Sequence, residues 1–382
     1  MSISDWSIQL KTRIIHGPGS VAQLPSLVRE SRLRRWLVIM DPEVEPTAFG
    51  RRVRRSLAET HPTYFTSFAT NPTFEMVEEC AEQYRRSHAR AIISVGGGSA
   101  IDIGKAVGTL ATNSGRIASY ADGRRIRRPL PLTVNVPTTC GTGAEASPFA
   151  VLLDTEQRKK RGIESPLFVP HAIIIDPRSL ESLSRPLIAA TAFDALAHVI
   201  ESYTSRRATS LTRVSLTGCL VNFSAAYTHA LDGDISGLQT MQDIALSARL
   251  LYPRTGLSIA HALSHPIGAY SGLHHGMAVA LVLPSAIRYN TPAAEKAFAE
   301  VAVLLGAGHS SMSLVRTLES FIAESGIAAA FRTLDVLRMP VAIVAGESMH
   351  SSNIPSNPRP VTAGTASRIL RAALRNIAHG TP

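Results

Sequence analysis

The stretch Ala91-Ile-Ile-Ser-Val-Gly-Gly-Gly-Ser-Ala-Ile-Asp-Ile-Gly-Lys105 decides the fold class of this 382-residue chain. It opens with a short apolar run, which is typical of a strand buried on both faces of a parallel sheet. The glycines that follow predict a turn into a helix that begins near Ser99. Such a turn lets backbone N–H groups and the positive end of the helix dipole approach a phosphate. A plain strand-to-helix turn would use the same glycines, so this stretch alone leaves phosphate binding open.

Two familiar nucleotide motifs do not fit this turn. The GxGxxG pattern of dinucleotide-binding folds would need glycine at position 101, which is Ile101. The nucleotide P-loop needs four residues between its glycines and then Lys-Ser or Lys-Thr. Here Gly98 and Gly104 enclose five residues, and Ala106 follows Lys105.

Other apolar runs surround this stretch. Trp36–Met40, Leu132–Val136 and Ala172–Ile175 alternate with helical segments, which indicates a parallel sheet with helices on its faces. After about Leu183, long Ala- and Leu-rich amphipathic segments replace the strand-like runs. We therefore predict a Rossmann-like α/β domain over residues 1–182 and an all-α domain over residues 183–382.

Composition indicates a globular cytoplasmic protein. Apolar residues make up 45% of the chain and charged residues 18%, a folded rather than disordered balance. No apolar run reaches the roughly 18 residues of a membrane span, and the segment after Met1 lacks the features of a secretory signal. Cys80, Cys140 and Cys219 are too scattered for a disulfide framework or a CxxC metal site.

The net charge of +10 raises the question of nucleic-acid binding. The basic residues form clusters at 51–55, 124–128 and 159–161. No cluster is interleaved with the aromatic residues on which nucleic-acid bases would stack. Solvated helix faces and loops explain most of this charge, so we predict no nucleic-acid partner. Composition alone does not decide whether this positive charge attracts a small anionic substrate.

Candidate metal ligands recur at helical spacing. Asp194 and His198 lie four residues apart in an apolar helical segment, so their side chains leave one helix face. His261 and His265 repeat this spacing, and His275 follows beside a glycine. A carboxylate with imidazoles suits Fe²⁺ or Zn²⁺. Single histidines on apolar helix faces are also common as hydrogen-bonded core residues, and spacing alone does not decide between the two.

A third stretch, Val136-Pro-Thr-Thr-Cys-Gly-Thr-Gly-Ala-Glu145, follows a predicted strand. Hydroxyl residues and glycines at the carboxyl end of a strand are typical of the ligand crevice in an open α/β sheet. The alternative is an ordinary Gly/Thr loop, with Glu145 as a charge at a helix start.

These stretches together resemble the iron-containing (group III) alcohol dehydrogenases. The resemblance covers 96–102, 137–145, Asp194-x-x-x-His198, and His261-x-x-x-His265 with His275-Gly276, in the same order and spacing, and ends with Asn357-Pro-Arg359. It implies a dinucleotide-binding α/β domain and a helical metal-binding domain, the architecture of dehydroquinate synthase. It also implies that Asp194, His198, His261 and His275 bind the metal, and the choice of His275 over His274 rests on it.

The resemblance implies a metal-dependent, NAD(P)-linked alcohol dehydrogenase or aldehyde reductase, with Fe²⁺ as the expected metal and Zn²⁺ as the alternative. His265 matches a position near the nicotinamide that is not a ligand, and we predict that it relays a proton. The predicted cofactor residues are Gly96, Gly97, Gly98 and Ser99 at the pyrophosphate, Thr138, Thr139 and Thr142 near the nicotinamide half, and additionally Asp102 and Ser147. Asp41 ends its strand where it would bond the adenosine ribose, and its charge favours NAD over NADP.

Three positions in the sequence bear on the choice of substrate, because they differ from the family pattern or fall in its pocket region. Arg254 stands where family members typically carry Asn, Ser258 replaces a usual Gly, and Phe149 falls in the region that lines the substrate pocket. An arginine there would suit an aldehyde with a carboxylate or phosphonate, such as phosphonoacetaldehyde. The alternative is that Arg254 pairs with an acidic neighbour or faces solvent.

Other functions fit parts of the pattern. Sugar-phosphate cyclases of the dehydroquinate synthase type tend to have a Lys/Arg-rich phosphate pocket, whereas this chain has few lysines. Maleylacetate reductases lack the Pro-Thr-Thr-x-Gly-Thr-Gly stretch, and a non-enzymatic basic binding protein would need no metal. We therefore expect a small alcohol or aldehyde as substrate, no membrane partner, and a homo-oligomer, namely a dimer.

Overall fold

The computed structural model describes residues 11–157 and 159–378. The chain divides into two compact units. The α/β unit runs up to Thr139 and includes Gly143–Ser182, and the helical unit consists of Cys140–Thr142 and the residues from Leu183 onward.

A parallel sheet forms the centre of the α/β unit. Among the described residues it has six strands, β1 Arg13–His16, β2 Trp36–Met40, β3 Thr63–Phe65, β4 Ala91–Gly96, β5 Leu132–Pro137 and β8 Ala172–Ile175. They lie in the order β1-β8-β5-β4-β2-β3. Every residue of β2 and β4 is buried, as their continuous apolar sequences predict. The predicted parallel sheet is confirmed.

Helices cover both faces of this sheet. They are α1 Leu24–Ser31, α2 Ala48–Leu57, α3 Phe74–Arg86, α4 Gly98–Thr112 and α5 Ile117–Ala121. Because successive side chains of a strand point to opposite faces, β2 contributes to two separate cores. Leu37 and Ile39 pack into one of them, and Trp36 and Val38 pack into the other.

A two-stranded antiparallel hairpin follows β5, and our reading of the sequence did not predict it. Its strands are β6 Phe149–Asp154 and β7 Lys159–Glu164. Asp102 on α4 accepts a hydrogen bond from the backbone N–H of Val151 (2.9 Å), which attaches the hairpin to the sheet's helical layer. The hairpin is a small addition to the predicted fold and does not change its class.

The second unit is helical, as predicted. Its helices are α6 Arg185–Thr204, α7 Ser210–Leu231, α8 Ile235–Thr255, α9 Ile259–Ser271, α10 His275–Leu304, α11 Ser311–Ser325, α12 Ala328–Phe331, α13 Leu334–Leu337, α14 Val341–Ser348 and α15 Ala363–Ala378. Helix α6 is buried continuously from Ile188 to Thr204 and packs against α7, α8 and α10. A helix that is buried on all sides is expected at the centre of a unit.

The chain turns sharply between α8 and α9. Gly256 ends α8 with a φ of 65°, a left-handed conformation that favours glycine. A Cβ atom at this position would also lie 2.4 Å from the hydroxyl of Ser356. The turn places Arg254 and His261 on different helices. No helix in the described part of the chain is long and apolar enough to span a membrane.

Candidate metal and cofactor sites

Asp194 lies at the centre of a buried cluster in the helical unit. Its Oδ1 atom is 3.2 Å from Nε2 of His261, 3.4 Å from Nε2 of His275 and 3.9 Å from Nε2 of His198. Three imidazole nitrogens therefore converge on a single carboxylate oxygen.

The cluster forms where three helices meet. Asp194 and His198 lie one turn apart on α6, His261 lies in the first turn of α9, and His275 is the first residue of α10. The start of α10 contacts α6 so closely that a Cβ atom at Gly276 would lie 2.0 Å from the carbonyl oxygen of Ala190. Glycine at position 276 thus permits the contact that brings His275 to Asp194.

These residues form a donor set that fits a divalent metal. Asp194, His261 and His275 each offer one ligand atom, and the three atoms lie within 4.8 Å of one another. His198 is not part of this compact set, although its Nε2 also faces Asp194. One carboxylate with imidazole nitrogens is a set that suits Fe²⁺ and Zn²⁺.

The protonation states favour a cation in the cluster. Burial raises the pKa of Asp194, but the imidazoles of His198, His275 and His261 outweigh it and hold that pKa well below its usual range. Burial lowers the pKa of His198 to about 3, against the opposing effect of Asp194, so its ring is neutral as a ligand requires. Burial also lowers the pKa of His261, but the carboxylates of Glu201 and Asp194 raise it to about 9. A metal ion would supply the positive charge that a proton supplies at His261.

Glu201 holds His261 in place, and our sequence reasoning missed it. Its Oε2 lies 2.5 Å from Nδ1 of His261, and its Oε1 accepts from the N–H of Ala260 (3.1 Å) and from the hydroxyl of Ser258. Glu201 follows Asp194 by two helical turns, so the periodicity of α6 was a signal that could have identified it. A carboxylate on Nδ1 directs Nε2 toward a metal and sets the tautomer.

Two further residues that sequence reasoning missed lie beside His198. The ring of Tyr252 stacks on that of His198 at 5.0 Å with an angle of 9° between the planes. The guanidinium carbon of Arg249 lies 4.2 Å from the centre of the Tyr252 ring, and Arg249 is only 7% exposed. Since Arg249 and Tyr252 are three residues apart on α8, helical spacing links them. The charge of Arg249 contributes to the low pKa of His198.

The remaining predicted residues of this unit have distinct positions. The ring of His265 lies 5.0 Å from that of His275 and is partly exposed. His274 caps α10, where its Nδ1 accepts from the N–H of Gly276 (3.3 Å). Arg254 is exposed in the last turn of α8.

Close contacts in the glycine turn of the α/β unit require glycine at position 96. Gly96 ends β4, and a Cβ atom on it would lie 2.6 Å from Cβ of Ala100 and 3.0 Å from Cβ of Asp41. Asp41 follows β2 and therefore lies directly against the turn, with its N–H bonded to Val95 O (2.9 Å). Burial raises the pKa of Asp41, although the N–H of Glu43 bonds its carboxylate and opposes this. The predicted ribose and pyrophosphate residues are thus neighbours.

Gly97 caps α4, and Gly98 is its first residue. A Cβ atom at Gly97 would lie 3.1 Å from the methyl group of Thr139. Buried Thr138 donates its N–H to Gly96 O (3.0 Å). The predicted phosphate turn and the start of the Thr/Gly loop therefore lie side by side, whereas Thr142 belongs to the helical unit.

The other predicted cofactor side chains bond within the α/β unit. Ser99 donates its hydroxyl to Thr70 O, and the hydroxyl of Ser147 accepts from the N–H of Phe149 (2.9 Å). Asp102 accepts from Val151 N and lies 3.5 Å from Nζ of Lys105. Half-buried Phe149 begins β6.

Comparison with known proteins decides the family. A family model described as iron-containing alcohol dehydrogenase matches residues 11–177, and the model for the C-terminal part of this family matches residues 188–374. The chain belongs to the iron-containing alcohol dehydrogenases. The family predicted from the motifs is confirmed, and the protein is therefore an oxidoreductase.

Known dehydrogenases are similar to this protein over most of its chain. The NAD-dependent methanol dehydrogenase of Bacillus methanolicus is 27% identical over 369 residues, covering 94% of this chain and 97% of that protein. The 1,3-propanediol dehydrogenase of Citrobacter freundii is 31% identical over 318 residues, covering 81% of this chain and 82% of that protein. The solved structure of a 1,3-propanediol oxidoreductase superimposes with a TM-score of 0.90 at 26% identity, covering 97% of this chain and 100% of that one.

Proposed function

We propose that this protein is a metal-dependent, NAD-linked alcohol dehydrogenase or aldehyde reductase that acts on a small alcohol or aldehyde. The convergence of three Nε2 atoms on Oδ1 of Asp194 carries this proposal, because it joins a metal-binding donor set to the family's dehydrogenase activity. Asp194, His198, His261 and His275 would hold Fe²⁺, with Zn²⁺ as the alternative. The metal would polarise the substrate oxygen, and the nicotinamide would exchange the hydride.

The protein's own side chains would orient the site and move the proton. Glu201 keeps Nδ1 of His261 engaged, so its Nε2 stays directed at the cluster. The ring of Tyr252 covers one face of His198 and excludes water from it. His265 is our candidate for the proton relay, since it is partly exposed beside His275 and imidazole titrates near neutral pH.

The α/β unit would bind NAD at the carboxyl end of its strands. Gly96, Gly97, Gly98 and Ser99 would hold the pyrophosphate at the start of α4, and Thr138, Thr139 and Thr142 would lie at the nicotinamide half. Asp102 and Ser147 would support this site through their bonds to Val151 and Phe149. The contact of Asp41 with the glycine turn supports NAD over NADP, since a carboxylate there would repel a 2′-phosphate.

For the substrate we propose an anionic aldehyde, such as phosphonoacetaldehyde, held by an arginine of α8. Two arginines are candidates, and they differ in position. Arg254 is exposed, whereas Arg249 is buried against Tyr252 and its charge acts on His198. A guanidinium binds carboxylate or phosphonate through two parallel hydrogen bonds. We favour Arg249, because its guanidinium lies over the ring of Tyr252, which stacks on His198. Half-buried Phe149, at the start of β6 in the α/β unit, is retained as a proposed substrate residue.

The test is reconstitution of the purified protein with Fe²⁺ or Zn²⁺. NADH or NADPH oxidation is then followed with neutral and anionic short-chain aldehydes. We expect metal-dependent oxidation of NADH that is abolished by a chelator and restored by the metal. Equal turnover after complete chelation would exclude the metal-dependent reaction, and no turnover with any aldehyde and either cofactor would exclude the proposed activity.

A further inference from the structure

The chain contains the pattern Arg-Arg-x-Arg-Arg twice, at 51–55 and at 124–128. The first copy lies on α2, where helical geometry spreads its side chains around the axis. Arg54 in this copy pairs with Glu45, and its guanidinium carbon lies 3.9 Å from the centre of the Tyr64 ring. This copy is an ordinary charged helix face.

The second copy lies in the loop between α5 and β5, where its side chains converge. Arg124, Arg125, Arg127 and Arg128 are exposed and line one cavity of about 590 Å³, together with residues 112–114 and Tyr120. None of the four forms a salt bridge with a carboxylate of the described residues. The nearby Asp122 pairs with Arg161 instead (2.7 Å).

Hydrogen bonds hold this arginine loop (residues 124–128) in its concave shape. The side-chain oxygen of Asn113 accepts from the N–H groups of Arg127 and Arg128, both at 3.0 Å, and its amide donates to Arg128 O at 3.1 Å. Arg124 donates to the hydroxyl of Ser114 (3.1 Å) and lies over the ring of Tyr120 at 5.3 Å. The backbone of the loop and one of its guanidiniums are therefore held at the cavity.

The charges around the cavity suit a multivalent anion. No carboxylate belongs to the cavity lining among the described residues, so the positive charges there repel one another. An anion with several charged oxygens would relieve this repulsion, and guanidinium forks match phosphate oxygens. The cavity volume is within the range of about 300–1,000 Å³ that is typical of small-molecule sites.

The cavity is separate from the proposed cofactor site. Gly98 starts α4 at the glycine turn, whereas the cavity lies at the other end of this 15-residue helix, beside Thr112. A helix of this length is about 22 Å long. The two sites therefore lie at opposite ends of α4.

We propose that the arginine loop is a second anion-binding site for a small molecule that carries an oligophosphate group. This group belongs either to inorganic polyphosphate or to a nucleoside triphosphate. The proposal does not depend on the proposed dehydrogenase activity, because it concerns another part of the α/β unit.

Calorimetric titration of the full chain with inorganic tripolyphosphate, and separately with ATP, tests the site. We expect binding at low ionic strength that weakens as salt is added. The R124Q/R127Q variant should bind both probes at least about tenfold more weakly, since charge-assisted hydrogen bonds are lost. The matched control, R51Q/R55Q, removes the same charge from α2 and should bind like the wild type.

Each titration is repeated with saturating NAD, and circular dichroism confirms the fold of both variants. Binding that persists with NAD and is lost only in R124Q/R127Q supports the site. Equal affinity for ATP and tripolyphosphate would show that the phosphates alone are recognised. Tighter binding of ATP would show that the site also contacts the nucleoside. Competition by NAD, equal weakening in the two variants, or no binding at low salt would overturn the proposal.

Discussion

Oε2 of Glu201 lies 2.5 Å from Nδ1 of His261, while Nε2 of the same ring faces Asp194 at 3.2 Å. The imidazole is therefore held between two buried carboxylates, one on each nitrogen. A metal at Nε2 would displace the proton from that nitrogen and leave the bond to Glu201 intact. Glu201 on α6 thus connects metal binding to the position of the start of α9, where it bonds Ala260 and His261.

Glu201→Gln should weaken metal binding without unfolding the protein. The amide has nearly the same shape but lacks the charge that raises the basicity of His261, so metal affinity should fall by about 10- to 100-fold. Metal titration measures this effect, and turnover at saturating metal should recover much of the loss. Unchanged metal affinity would show that Glu201 serves only to hold the start of α9 through its hydrogen bonds.

His261→Ala and His198→Ala should both lose bound metal and nearly all turnover while remaining folded. The matched control is His265→Ala, one turn after His261 on α9, which should keep its metal but turn over more slowly. Metal content per chain and the rate of NADH oxidation separate the two outcomes. A His261→Ala variant that keeps its full metal content would remove His261 from the ligand set.

Asp41→Ser should relax the discrimination against NADP. It removes the repulsion of a 2′-phosphate, which is of order 1 kcal/mol or more, so the ratio of kcat/KM for NADP over NAD should rise about fivefold or more. Glu43→Gln is the control, because it removes a charge from an exposed neighbour outside the glycine turn. A ratio that is the same in both variants would mean that Asp41 does not reach the ribose.

Arg249→Gln should raise KM for an anionic aldehyde by about tenfold or more and leave neutral aldehydes nearly unchanged. The neutral substrates report whether the site is intact, and Arg249→Lys should restore part of the loss by keeping the charge. Arg254→Asn is the comparison on the same helix. If only Arg254→Asn raises KM selectively for the anionic aldehyde, Arg254 binds the anion. Equal losses of activity on anionic and neutral aldehydes would show that both arginines have structural roles.

Much of the fold was predictable because its signals are local. The apolar runs of β2, β4, β5 and β8 predict buried parallel strands, and all four are present. The hairpin of β6 and β7 was missed because β7 begins with the basic run Lys159-Lys160-Arg161, which resembles a charged loop. The hairpin is also attached to α4 through Asp102, and sequence patterns do not show that contact.

The sequence by itself determined that Asp194 and His198 share one face of α6, since helical spacing alone places them there. Only the tertiary structure decided which other groups join them. His261 lies 67 residues from Asp194, and it arrives there because α10 packs on α6 and α9 packs on α10. The two Arg-Arg-x-Arg-Arg patterns also cannot be distinguished by sequence alone. On α2 the helix spreads the arginine side chains around its axis, whereas in the loop Asn113 bonds the backbone and holds the arginines around one cavity. Spacing along the chain determines which side chains share one face of a helix, but the packing of distant elements determines which residues that face contacts.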